Sequence, residues 1–358
     1  MRFSSNFLAQ AASALLLSSG CQAASVQRRA DTCNGYSELC DRSYGNVSFV
    51  GAHNSYAVDV NNLFANQDYD VTQQLKDGIR LLQLQVHNNN NVLQLCHSEC
   101  SFYNGGTLED YLKKVKTWMD ANTNDVVTIV IVNSDGFAAS DFASVYESAG
   151  VSDLSYAPDQ STVTYESWPT LGMLVDNGKR LVSFLASGAD FSSVPYLIDE
   201  FTNVWETAYD VTDTTFDCEV NRTKGDSGTQ LYMINHFLDK LVLGTPAPDI
   251  SKANLTNSVS ETGGLGIQSD TCTAQYGRPP NFMLVDFYEY GGGSIFEVAA
   301  TNNKVEYTAS SIATPKPTSS SSSSSGSGDG ALALGVPGLW VSLLCTIFGV
   351  GAGMILVV

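Results

Sequence analysis

Basic side chains are scarce in this chain, with 18 Lys and Arg against 37 Asp and Glu and a formal net charge of −19. That balance excludes nucleic acid as a partner, because a phosphate-reading surface needs a basic excess. It equally excludes broad adsorption to anionic lipid, so any lipid headgroup must be met in a local pocket. Histidine is rarer still, with four in the whole chain: His53, His87, His97 and His236. There is no paired CxxC and no histidine cluster near the cysteines beyond His97, which argues against a zinc site. Between Asp31 and Tyr307 there is no obvious linker or internal repeat.

The ends carry different grammar. Arg2, the apolar stretch Phe7 to Leu17 and the small residues up to Ala23 read as a signal peptide over residues 1–23, too short for a membrane span. Residues 24–30 form a short tail in which Arg28-Arg29 is either a processing site or a solvated pair. Residues 308–330 read as a Ser/Pro/Gly-rich stalk. From Ala331 to Val358 no charged residue occurs. A spanning helix there would normally be followed by Lys or Arg, so a removable glycolipid-anchor signal fits better, with attachment in Ser325 to Asp329. A transmembrane tail is the alternative.

Eight cysteines place Cys21 in the signal, Cys345 in the tail and six between Cys33 and Cys272. An even number in an oxidising compartment implies three disulfides. Proximity favours Cys33–Cys40 and Cys96–Cys100, leaving Cys218–Cys272, although sequence alone keeps other connectivities open. Asn46, Asn221 and Asn254 head glycosylation sequons and are expected at the surface.

About 280 residues remain for the folded part, residues 31–307, close to one (β/α)8 barrel. Apolar or β-branched runs predict strands at Val47 to His53, Ile79 to His87, Val92 to His97, Val126 to Asn133, Arg180 to Ala186, Leu231 to Phe237 and Phe282 to Tyr288. Helical spacing over Leu108 to Asn122 and Ser140 to Gly150 alternates with them, which implies an α/β fold with parallel strands and crossover helices. The polar turn Asn88 to Asn91 suits a tight reversal between two of the strands.

His53 and His97 stand where predicted strands run into loops, the catalytic face of a barrel. The first lies in Gly51-Ala52-His53-Asn54-Ser55-Tyr56. Gly78-Ile79-Arg80 opens the next strand, and Leu95-Cys96-His97 follows. In that order the motifs resemble the X-domain of phosphatidylinositol-specific phospholipase C, closest to fungal secreted PLC-like phosphodiesterases, over most of Asn46 to Tyr290. The resemblance implies a TIM-type barrel and a phosphoric diester hydrolase. It further implies His53 as the base on an inositol hydroxyl and His97 as the acid for the glycerol oxygen. Two imidazoles suit that pair of proton transfers near neutral pH.

The chain departs from the family at Gln83 and Gln85. Calcium-dependent members have carboxylates there, and bacterial members an Asp and an Arg. Two neutral amides attract calcium poorly, so no cofactor is expected, and the guanidinium alternative is missing too. Strand alternation points Gln83 and Gln85 into the barrel and makes Arg80 a structural ion-pair partner. Asn54, Asn133, His236 and Asp286 are the further candidates for contacting phosphate or substrate, with Glu206 and Asn235 also polar at strand ends. His87 reads as a turn residue. The expected partner is a phosphodiester lipid or its headgroup, with the membrane met through a C-terminal lipid anchor. A catalytically weak barrel serving as a surface-binding or cell-wall protein is the alternative. A glycerophosphodiester phosphodiesterase is disfavoured, because Asn54 and the Gln83-x-Gln85 pair replace the residues it needs.

Overall fold

A computed structural model describes residues 30–309 and 311–317. The signal, anchor and transmembrane readings, Cys21 and Cys345 fall outside them. Twelve strands are present among the described residues. They are β1 (Phe49–Ala52), β2 (Leu81–Asn89), β3 (Val92–His97), β4 (Tyr103–Thr107), β5 (Val127–Asn133), β6 (Leu181–Leu185), β7 (Leu197–Asp199), β8 (Val204–Glu206), β9 (Leu231–Asn235), β10 (Asp239–Val242), β11 (Thr245–Pro248) and β12 (Phe282–Val285). The helices are α1 (Val71–Asp77), α2 (Leu108–Ala121), α3 (Ala139–Ser148), α4 (Leu171–Asp176), α5 (Glu200–Asn203), α6 (Ala253–Thr256), α7 (Leu265–Tyr276) and α8 (Ser294–Asn303).

Eight of the strands run parallel in the order β7-β6-β5-β2-β1-β12-β9-β8, so that the last strand closes against the first. This is the expected barrel. No pairing joins β7 to β8 among the described residues, and the ring is open there. Only the four-residue α5 separates those two strands, too little chain for a full crossover. The irregular stretch Asp190 to Cys218 hides this pair of three-residue strands, and their shortness is why no periodic signal exposed them.

Side-chain alternation divides the apolar residues into two layers. Inside the barrel, Phe49, Leu81, Val130, Phe184, Met233, Phe282 and Leu284 pack with Tyr44 and Trp168, which plug the end opposite the strands' C-termini. Outside, Leu82, Leu84, Ile129, Ile131, Tyr232, Ile234 and Val285 pack under the helices. Gly51 faces inward, where a Cβ would lie 2.4 Å from the Leu81 side chain. Here the motif glycine makes room for a neighbouring strand.

The helix α2 follows its sequence pattern, burying Leu108, Tyr111, Leu112, Val115 and Met119. Thr107 caps it by accepting from the Asp110 N–H at 3.1 Å, and Glu109 and Asp110 favour the positive end of its dipole. Arg80 pairs with Asp125 (2.8 Å). The strands β2 and β3 form the expected hairpin, with Asn90 and Asn91 both at positive φ (56° and 63°), as a two-residue turn of this hand requires. All three expected disulfides are present, Cys33–Cys40, Cys96–Cys100 and Cys218–Cys272.

The packed chain does not stop at Tyr307. Beyond α8 the Ala313 N–H donates to Asp77 (3.0 Å), Tyr69 donates to the Thr314 carbonyl (2.7 Å), and the Lys316 N–H donates to Asp68 (2.7 Å). The first residues assigned to the stalk therefore strap α1.

Candidate active site

A cavity of about 250 Å³ opens at the C-terminal ends of the strands, and both His53 and His97 line it. His53 follows β1, its N–H bonded to the Val285 carbonyl of β12 (2.9 Å). His97 ends β3, the antiparallel excursion from β2. The two rings lie 6.4 Å apart between centroids and nearly perpendicular.

Each imidazole is held through Nδ1. His53 donates from Nδ1 to Asp286 Oδ1 at 2.9 Å, and its ring stacks on Phe237 at 3.6 Å. Asn66 donates to the same Asp286 oxygen at 3.0 Å. His97 donates from Nδ1 to the Phe64 carbonyl at 2.6 Å. Fixing Nδ1 as the donor leaves Nε2 of each ring as the nitrogen that can take up or give a proton. That of His53 accepts from the Asn54 amide at 3.1 Å.

Burial controls the charge. It pushes His53 down to about 4, although the carboxylates of Asp239, Asp210 and Glu206 pull the other way. It pushes Asp286 up to about 8, so neither member of the pair favours its charged form. Burial also lowers His97, against the Phe64 hydrogen bond.

Gln83 and Gln85 do face the cavity. Their side-chain oxygens accept from the N–H groups of Asn54 (2.7 Å) and Ser98 (2.6 Å). They thus hold the two histidine loops in place. Asn54, at φ 39°, makes the sharp exit from β1.

Two expected residues are not in the site. Asn133 shares the outward face of β5 with Ile129 and Ile131; it donates to the Phe137 and Ser187 carbonyls (2.9 and 3.1 Å) and so fixes a loop. His236 shares the outward face of Tyr232 and Ile234, is fully buried, and lies between Gln268 Oε1 (2.6 Å) and the Thr256 carbonyl (2.7 Å). Asp286, on the inward parity of Phe282 and Leu284, is in the site. Alternation was the available signal. Met233, Asn235, Phe237 and Asp239 line the cavity at period two, the face opposite His236. His87 lies in β2 near Asp135 (3.5 Å). Asn66, Asp210 and Arg222 arrive on loops, where no periodicity announces them.

The family model for the PI-PLC X domain (PI-PLC X 1) matches residues 39–303. The chain belongs to the PI-PLC X family. It is 43% identical over 285 residues to an uncharacterized secreted protein of Arthroderma benhamiae, covering 77% of this chain and 64% of that protein. It is also 43% identical over 263 residues to PI-PLC X domain-containing protein 1 of the same fungus, covering 72% and 86%. The chain thus spans less than two thirds of the first relative. Among solved structures, a mutant of the phosphatidylinositol-specific phospholipase C from Staphylococcus aureus superposes with a TM-score of 0.50 at 17% identity. That match covers 75% of this chain and 95% of the bacterial one, a likeness of fold.

Proposed function

We propose that this PI-PLC X protein cleaves an inositol lipid or a related phosphodiester by two-histidine acid-base catalysis. The supporting observation is the pair of imidazoles facing one cavity, each anchored through Nδ1 with Nε2 left for proton transfer. His53, kept unprotonated by burial and oriented by Asp286, takes the proton of the attacking hydroxyl. His97 protonates the leaving alkoxide, and a cyclic phosphate is the first product. The proposed mechanism gives calcium no role, because the β2 positions offer neutral amides whose oxygens already accept backbone hydrogen bonds.

The placement proposed is the extracellular face of the membrane or cell wall, by secretion and a C-terminal lipid anchor. The secreted fungal relative supports secretion. Asn46, Asn221 and Asn254 are exposed, as glycan acceptors must be. Release from membranes by anchor cleavage tests the tether, and persistence as an integral protein would reject it.

The engaged amides of Gln83 and Gln85 favour one competing function, a catalytically weak barrel that binds at the cell surface. The purified protein assayed on inositol-lipid vesicles, with and without calcium, separates the two. Headgroup release abolished by His53→Ala and by His97→Ala is expected. Turnover unchanged in both variants would reject the mechanism, and no turnover in the wild type would favour the binding protein.

A further inference from the structure

The cavity contains a cation that the strand motif lacks. Among its lining residues Arg222 is the single Lys or Arg. It comes from the loop between β8 and β9, far in sequence from β2, and bridges antiparallel to Glu206 at the end of β8. Its Nε donates to Glu206 Oε2 at 2.9 Å, and Nη2 pairs with the same oxygen. Nη1 has no hydrogen-bond partner among the described residues.

The guanidinium is further held by Tyr209, whose ring centroid lies 4.2 Å from it, and by Phe201 at 5.1 Å. Such stacking fixes the plane of the fork. One third of the side chain is exposed, whereas Glu206 beneath it is almost wholly buried. Arg222 thus combines an anchored edge with an open one.

Its surroundings tie it to the histidines. Asp210 lines the same cavity, where burial raises it against the opposing field of Arg222. Glu206, which anchors Arg222, is one of the carboxylates whose field reaches His53. Buried Glu200 is driven toward its neutral form by desolvation and by Glu206, so it does not add a second charge to cancel the arginine.

We propose that Arg222 is the phosphate-binding cation of this site, replacing from the β8 wall the positive charge absent at Gln83 and Gln85, an assignment that rests on the hydrolase function proposed above. The Nη1 edge donates to a non-bridging oxygen of the phosphodiester. Charge developing on that oxygen in the transition state strengthens the bond.

Inorganic phosphate is the probe, titrated calorimetrically into the purified protein, with phosphatidylinositol turnover measured alongside. Arg222→Met should weaken phosphate binding about 10- to 100-fold, the range for losing a charged hydrogen bond. Glu206→Gln should tighten it by releasing the guanidinium from its counter-charge, and that gain should vanish when Arg222→Met is added, whereas the mere loss of a cavity carboxylate would favour phosphate with or without Arg222. Phosphate binding within about twofold of wild type in Arg222→Met would overturn the assignment, as would a wild type that binds no phosphate. If Arg222→Met does not fold, Glu206→Gln decides, since unchanged or weaker binding overturns it. Arg222-dependent phosphate binding without lipid turnover would reject the hydrolase and leave the anion site standing.

Discussion

The two walls of the cavity are built differently. The wall of β12, β1, β2 and β3 is continuous sheet, and it presents His53, Gln83, Gln85 and His97 to the cavity, with Asp286 bonded to His53. The opposite wall begins at the three-residue β8, beside the open seam of the barrel, and is completed by Asp210 and Arg222 from a long loop. The continuous wall aligns the proton-transfer groups. The looped wall carries charge: Glu206, Asp210, Asp239 and Arg222. Rigid sheet suits groups that must meet at fixed distance, while loops let charge be placed without disturbing the ladder.

The sharpest test of that division exchanges histidines. His53→Ala or His97→Ala should lower kcat about 10²- to 10⁴-fold with the melting temperature nearly kept. His236→Ala, on the outward face, should do the reverse, because it strands the buried Gln268 and Thr256 oxygens. Equal kinetic losses in lipid hydrolysis would erase the distinction.

Removing the 54-residue link Cys218–Cys272 should cost about 4 kcal/mol in denaturant unfolding, since it ties the looped wall to α7. Loss at Cys96–Cys100, four residues apart, should cost about 2 kcal/mol on the same loop-length dependence. Equal costs would mean the looped wall is not held by its disulfide.

Asp286→Ala should lower kcat roughly 10²-fold, because it removes the acceptor that orients Nδ1 of His53. Rescue by Asp286→Glu, with the lost step restored in kcat rather than KM, is expected of a positioning residue.

The smallest effect is in pH. His53 must be unprotonated, so kcat/KM rises with pH through about 4. His97 must be protonated, and burial holds it below 6.5, so kcat/KM falls again before neutrality. An acidic optimum is expected in a pH-rate profile. An alkaline limb above about pH 7.5 would mean that the acid is not His97.

Most of the continuous wall was legible in the sequence. His53, Asn54 and His97 lie in ordered motifs, and alternation along β2 correctly turned Gln83 and Gln85 inward and Arg80 outward. The same rule, applied from the inward parity of β5 and β9, would have rejected Asn133 and His236 and selected Asn235, Phe237 and Asp239. It was the choice of face that failed, because a polar residue at a strand end draws notice whichever way it points. The looped wall had no such rule.

The sequence by itself determined the alternating strand and helix pattern and the histidine pair by motif, and it favoured the two short disulfides by proximity. All of these depend on local spacing along the chain, which backbone geometry converts directly into direction. Only the tertiary structure decided that Asp286, 233 residues from His53, would orient it, and that Arg222 would enter the same cavity. Barrel closure brings distant segments together, and no local period records which loop reaches the mouth.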